Sequence, residues 1–134
     1  MSEIKTNKLT GTSTAGSILV TGEGNSTTTN LQQGLAKAWN CFNTDAVLRD
    51  SLNTASITDN GTANFDTNLT SSFANDDYAF SGACGAHSGS SIQIIGGNSA
   101  TVKETGQYGI RNQNSGSAFN DTNDMMTIAH GDLA

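Results

Sequence analysis

Apolar side chains are in short supply in this chain. They make up 34% of its 134 residues, against roughly 45–50% for an ordinary globular domain, so a single copy would bury only a thin core. Charge is sparse as well, at 13%, which sets the composition apart from that of a typical disordered chain. Cations are rarest: six Lys and Arg stand against twelve acids, for a net charge of −6. No basic run exists to track a phosphate backbone, and this disfavours nucleic acid as a partner. Long hydrophobic runs are absent too, since nothing approaches the roughly 20 apolar residues of a membrane span. The opening Met1-Ser2-Glu3-Ile4-Lys5 has no apolar segment of the kind an export signal needs. The expectation is a soluble chain made in a cytoplasm, with no membrane insertion. Cys41 and Cys84 form neither a disulfide framework nor a CxxC metal site. They read as two half-buried free thiols, with one cross-strand bridge as the alternative.

Thr, Ser, Asn and Gly fill the space that the missing residues leave, at about half of the sequence. Thr tolerates an exposed pleated face, and Asn and Gly make turns, so the mixture suits polar β-structure. A thin core of this kind is commonly reinforced by association, which buries more surface per residue. The first thirty residues are almost wholly small and polar, with one apolar run, Ile18-Leu19-Val20. Ordering such a segment costs about 1–2 kcal/mol per residue in backbone entropy, so it cannot fold alone. Residues 1–34 read as an extended polar arm that docks on another chain through Ile4, Ile18, Leu19 and Val20, and residues 35–134 as the folded domain.

Leu31, Leu35, Ala38, Trp39 and Phe42 fit a helical stripe with Asn30 as N-cap, but Gly34 weakens a long helix. The resolution is a short helix or turn around 30–34, then a strand with Ala38, Asn40 and Phe42 on one face and Trp39 and Cys41 on the other. Strand-like runs follow at 52–58, 64–69, 78–84, 92–95, 100–103, 108–111 and 125–129, separated by turn signals. Asn60-Gly61 is the clearest of these, because both residues tolerate positive φ. Strands at intervals of roughly 8–12 residues predict an all-β antiparallel sandwich, jelly-roll-like in kind.

The stretch Trp39–Phe73, with Arg49-Asp50-Ser51 and Ile57-Thr58-Asp59-Asn60-Gly61-Thr62, resembles a module of marine bacteriophage tail-fibre and related virion proteins. The C-terminal half resembles the small β-sandwich tips of such fibres. It does so through Phe73-Ala74-Asn75-Asp76-Asp77-Tyr78, Thr105-Gly106-Gln107-Tyr108-Gly109-Ile110-Arg111-Asn112-Gln113-Asn114, and Ile128-Ala129-His130-Gly131. The likeness covers residues 35–134 and departs from the family pattern at an inserted Gln107, at His130, and at Met125-Met126. It implies a structural role in the virion, commonly as a homotrimer, with the N-terminal segment fastened to other virion proteins and loop tips that meet a host surface glycan or protein. The Ser/Gly/Asn-rich loops 85–90 and 112–124 are placed for this, with His87, Ser88, Ser90, Asn112, Asn114, Ser117, Asn120 and Asp121 as receptor-binding candidates. The alternative is a capsid decoration or head-fibre protein whose arm adds a strand to a neighbouring edge. A free lectin-like module is a third reading.

Catalytic and ligand signatures are weak. Gly22-Glu23-Gly24 lacks the further glycine and the Lys of a phosphate loop, and Glu23 would repel a phosphate. His87 and His130 lack metal-ligand spacing. Asp76-Asp77 and Asp121-Thr122-Asn123-Asp124 do not follow the twelve-residue calcium loop and read as turns. Cys84-Gly85-Ala86-His87 brings a thiol and an imidazole close in sequence without the elbow that exposes a nucleophile. Only three glutamates exist, at 3, 23 and 104, which leaves little for paired-carboxylate chemistry. The chain therefore reads as a binding protein and not an enzyme, with no cofactor and no metal. Trp39, Phe65, Phe73, Tyr78, Phe80 and Phe119 read as core or subunit-interface anchors.

Overall fold

A computed structural model describes residues 3–12, 18–21, 28–85, 94–96, 103–113 and 117–134. They fall into two units, Met1–Leu35 and Ala36–Ala134.

In the first unit, β1 (Leu19–Thr21) pairs antiparallel with β2 (Thr28–Asn30), with Leu19 opposite Asn30. A single helical turn, α1 (Leu31–Gly34), follows at once. Asn30 sets it, because its side-chain oxygen accepts the backbone N–H groups of Gln32 (2.8 Å) and Gln33 (3.2 Å), which the first turn leaves without partners. The apolar run and the capped turn lie where the sequence places them, in a hairpin and not in a plain extended segment. No residue of β1 or β2 is buried. An isolated two-stranded hairpin is marginal in water.

The second unit is an antiparallel sandwich, the fold class that the strand and turn spacing predicts. Its strands are β3 (Ala38–Phe42), β4 (Leu48–Leu52), β5 (Thr54–Asp59), β6 (Asn64–Leu69), β7 (Ala79–Cys84), β8 (Ile94–Gly96), β9 (Lys103–Glu104), β10 (Gln107–Gln113) and β11 (Met125–His130). One sheet has the order β4-β3-β11-β7 and the other β5-β6-β10-β8, with β9 also on β10. The first and last strands of the unit are therefore neighbours, and β6 beside β10 repeats that nesting one layer across. This is the wrapped arrangement of a jelly-roll-like sandwich.

Two turns fix the path. The chain crosses from β4 to β5 at Asn53, which takes a left-handed φ of 56°. There it accepts Ser71 N–H (2.7 Å) and donates Nδ2 to the Ser71 carbonyl (3.0 Å), while its own carbonyl accepts Thr70 N–H (3.2 Å). Short polar side chains enter this backbone region more readily than others. The sequence reading runs one strand through 52–58; the fold instead breaks it at Asn53, leaving Leu52 at the end of β4 in one sheet and sending residues 54–58 into β5 of the other. The β5–β6 hairpin turns at the expected Asn60-Gly61, where Gly61 has a φ of 104° and its N–H is held by Asp59 Oδ1 at 2.8 Å.

Alternation decides which side chains meet between the sheets. Phe42, Phe65, Ile110 and Met125 fill one end of the interior, with the Phe42 and Phe65 rings edge-on at 5.4 Å. Phe73, Tyr78, Ala38 and Ala129 fill the other end, where the Phe73 and Tyr78 rings stack at 4.0 Å. The middle layer is polar: Asn40, Thr54, Thr67 and Thr127 surround the Tyr108 hydroxyl. The tail closes the second apolar end, with Ala74 N–H on the Asp132 carbonyl and Phe73 bridged to Leu133. Gly131 passes so close to this stack that a Cβ there would lie 2.5 Å from Tyr78 Cβ.

The two cysteines are free and half-buried. Cys41 stands opposite Met126 on the outward face, whereas Cys84 stands opposite Met125 and packs on the core. Their side chains lie on opposite faces of one sheet, which rules out the cross-strand bridge considered from sequence.

Candidate functional site

The candidate receptor loops divide sharply. His87, Ser88, Ser90 and Asn114 lie outside the described residues. Asn112 does not belong to a loop at all. It sits in β10 with no exposed surface, and its Nδ2 donates to Thr122 Oγ1 (3.2 Å) and approaches Met125 Sδ (2.9 Å). It faces inward because Ile110 and Tyr108, two and four positions earlier, do. Its sequence neighbours resemble a turn, but alternation governs, and Asn112 is removed from the receptor set.

The segment 117–124 is pinned more than it is free. Asp121 accepts Ala63 N–H at 2.6 Å, and Thr122 is buried. Asp124 pairs with the Arg49 guanidinium, which also donates to the Asn123 carbonyl at 2.8 Å. The Asp124 carbonyl accepts Gly85 N–H at 2.7 Å. These bonds tie the run ahead of β11 to β4, to the β5–β6 turn and to the end of β7, so the acidic run 121–124 acts as a clasp. Ser117, Ala118 and Phe119 are exposed at its start, with Ser117 in the left-handed region at φ 66°. Asn120 is half-buried and donates to the Ala118 carbonyl. Among the arm candidates, Ile4, Leu19 and Val20 are exposed and Ile18 is half-buried.

Two sheet faces turn away from the interior, and they differ in chemistry. On the β5-β6-β10 face, Asn68 Nδ2 donates to Ser56 Oγ (3.2 Å) and Thr58 Oγ1 (2.9 Å), and Asn60 Nδ2 donates to Asp66 Oδ2 (2.7 Å). On β10, Arg111 lies over the Phe119 ring, 4.5 Å from its centre. This is a ladder of short amides and hydroxyls.

The outward face of β4-β3-β11-β7 carries two cross-strand rows. One runs Leu52, Trp39, Ile128, Ser81, and the other Asp50, Cys41, Met126, Ala83. Leu52 is 46% exposed, Met126 41% and Ile128 39%. A shallow depression of about 300 Å³ lies beside Met126 and Ile128, floored by Gly82. Sequence reasoning named Trp39 as an anchor and placed Cys41 beside it, but it missed that Met126 and Ile128 join them. The alternation Met125-Met126-Thr127-Ile128 held that signal: its inward positions are buried and its outward ones are apolar all the same.

Ionisation in the core behind these faces is governed by burial. Tyr78 is pushed up to about 12, first by burial and then by charge repulsion from the neighbouring Tyr108 phenolate, and Tyr108 is itself raised by burial. The Cys84 thiol is raised by burial also, against a hydrogen bond with Thr122. Each shift favours the neutral form. Among the described residues, no group of three or more His, Cys, Asp or Glu is placed to hold a metal ion. No protein-family model, curated protein or solved structure matches the chain.

Proposed function

We propose that this chain is a structural protein of a phage virion, a tail-fibre or fibre-tip subunit that works by self-association and binds the host cell surface without catalysing a reaction. The observation that carries this reading is the contrast between the two outer faces of the sandwich. One has an apolar centre, Leu52, Trp39, Ile128 and Met126, with Asp50 at its edge, as suits a surface covered in an assembly. The other is a ladder of amides and hydroxyls with an Arg–aromatic pair, as suits a surface that meets sugars or polar protein through many weak hydrogen bonds. Copies joined through the first face would repeat the second in register, so avidity offsets weak single contacts. The sequence likeness to fibre tips supports the same reading.

The test is adsorption. Fluorescently labelled chain should bind cells of a susceptible bacterium and compete with whole phage for them. Binding to phage heads, with no adsorption to any cell, would replace this reading with the head-decoration alternative.

A further inference from the structure

We propose that Asn60 is a site of spontaneous covalent modification, converted through a cyclic imide to aspartate or isoaspartate, and that Asp59 and Asp66 hold it in check.

The fold itself demands the labile pair. Gly61 turns the β5–β6 hairpin at a φ of 104°, in the region that favours glycine. The position after Asn60 therefore has no side chain, and the Gly61 nitrogen is left unshielded beside the Asn60 carboxamide. A Cβ at Gly61 would have nothing within 4 Å, and both residues are exposed, so water reaches the turn and a ring has room to form. Of the fifteen asparagines in the chain, Asn60 alone precedes a glycine.

The step needs only water and its hydroxide. Hydroxide takes the Gly61 amide proton, and the nitrogen bonds to Asn60 Cγ. The Cγ–Nδ2 bond then breaks, and the departing nitrogen takes a proton from water to leave as ammonia, which restores the hydroxide. Water opens the five-membered imide at either carbonyl. Opening at the side-chain carbonyl gives aspartate. Opening at the main-chain carbonyl gives isoaspartate, whose backbone is longer by one carbon.

Two carboxylates oppose this. Asp59 Oδ1 accepts the Gly61 N–H at 2.8 Å. That bond must open first, and the adjacent negative charge resists the charge that builds on the nitrogen as its proton leaves. Asp66 Oδ2 accepts Asn60 Nδ2 at 2.7 Å and draws the carboxamide across to β6, held by the very group that must depart.

Modification removes the second restraint for good. The donor to Asp66 becomes a carboxylate, which adds negative charge to a chain already at −6 and sets it against Asp59 and Asp66. Isoaspartate also lengthens the turn that the bonds of Asn60 N–H to the Asn64 carbonyl (2.8 Å) and of Asn64 N–H to the Gly61 carbonyl (2.9 Å) close. The hairpin end of the polar face is thus altered irreversibly with age.

The experiment is prolonged incubation of the whole chain in warm, mildly alkaline buffer, followed by proteolysis and mass spectrometry. Asn60 should show the mass of an amide-to-acid exchange before any other asparagine, with aspartate and isoaspartate forms separating on reversed-phase chromatography. Asp59→Ser and Asp66→Ser should each speed the change several-fold, as should unfolding the unaltered chain in guanidinium chloride. Asn60→Gln, which needs a larger ring, should abolish it. If one serine variant fails to fold, the other decides together with the native and unfolded rates of the unaltered chain. Folded serine variants no faster than the unaltered chain, or equal native and unfolded rates, overturn the restraint. An Asn60 that stays intact in both states overturns the site.

Discussion

The Asn40 carboxamide and the Tyr108 hydroxyl meet between the two sheets, with Nδ2 3.4 Å from the phenolic oxygen. Asn40 stands on β3 and Tyr108 on β10, so the contact joins sheets through the middle of the core. Thr127 closes the group: its hydroxyl donates to Asn40 Oδ1 at 2.9 Å and lies 2.7 Å from the Tyr108 hydroxyl. A buried polar group costs free energy unless satisfied, and here every member has partners. The network fixes the register of one sheet on the other where apolar packing alone would allow slippage.

Removing Asn40 should therefore cost more than removing the Tyr108 hydroxyl. Asn40→Ala removes the acceptor of the Thr127 hydroxyl and the donor shared among Thr54, Thr67 and Tyr108, and leaves a cavity, for an expected loss of about 2–4 kcal/mol, while Tyr108→Phe should cost about 1–2 kcal/mol. Urea unfolding of both single variants and the double should give less than the sum of the two. Strict additivity would show that the two groups do not interact.

The corner at Asn53 makes a second prediction. Asn53→Ala loses two side-chain hydrogen bonds and puts a less tolerant residue at positive φ, for about 2 kcal/mol in all. Asn53→Gly keeps the backbone conformation and should cost about 1 kcal/mol less. Equal losses in thermal denaturation would mean that backbone strain has no part in the corner.

Gly131 is expected to reject any side chain. Its Cβ position lies 2.5 Å from Tyr78 Cβ and 3.1 Å from the Phe73 ring, and neither can swing away freely. Gly131→Ala should cost about 1–3 kcal/mol through forced displacement of the stack. A fluorescence-monitored unfolding curve unchanged from wild type would contradict the close approach.

Stability should fall at high pH for a stated reason. Burial raises Tyr78 from 10.0 to about 12 in the fold. A group whose pKa is raised on folding contributes stability that is fully present below its unfolded pKa. That contribution is lost as pH climbs from about 10 through about 12. Unfolding midpoints at about pH 9 and about pH 11.5 should differ for wild type and differ less for Tyr78→Phe. The same drop in both would assign the alkaline loss to other groups.

Much of this architecture is legible in the residues themselves. The alternation of 38–42, the Asn60-Gly61 turn and the cap at Asn30 follow from local rules, because each depends on neighbours within a few positions. The corner at Asn53 does not, since its partners are Thr70 and Ser71 and nothing nearby announces them. Asn112 looks like a turn residue in company with Gln113 and Asn114, and its burial follows only once β10 is carried through it, where it continues the inward row of Tyr108 and Ile110 and meets Thr122 and Met125. The apolar outer face was half visible: Trp39 and Cys41 share a face by period two, but their meeting with Met126 and Ile128 depends on pairing the first strand of the sandwich with its last.

The most direct test of the account is the mass of the unaltered chain in solution, read by light scattering across a wide dilution range. The account predicts more than one chain per particle at high concentration and dissociation on dilution. A single chain at every concentration, with the Trp39–Ile128 face left open to water, would contradict it.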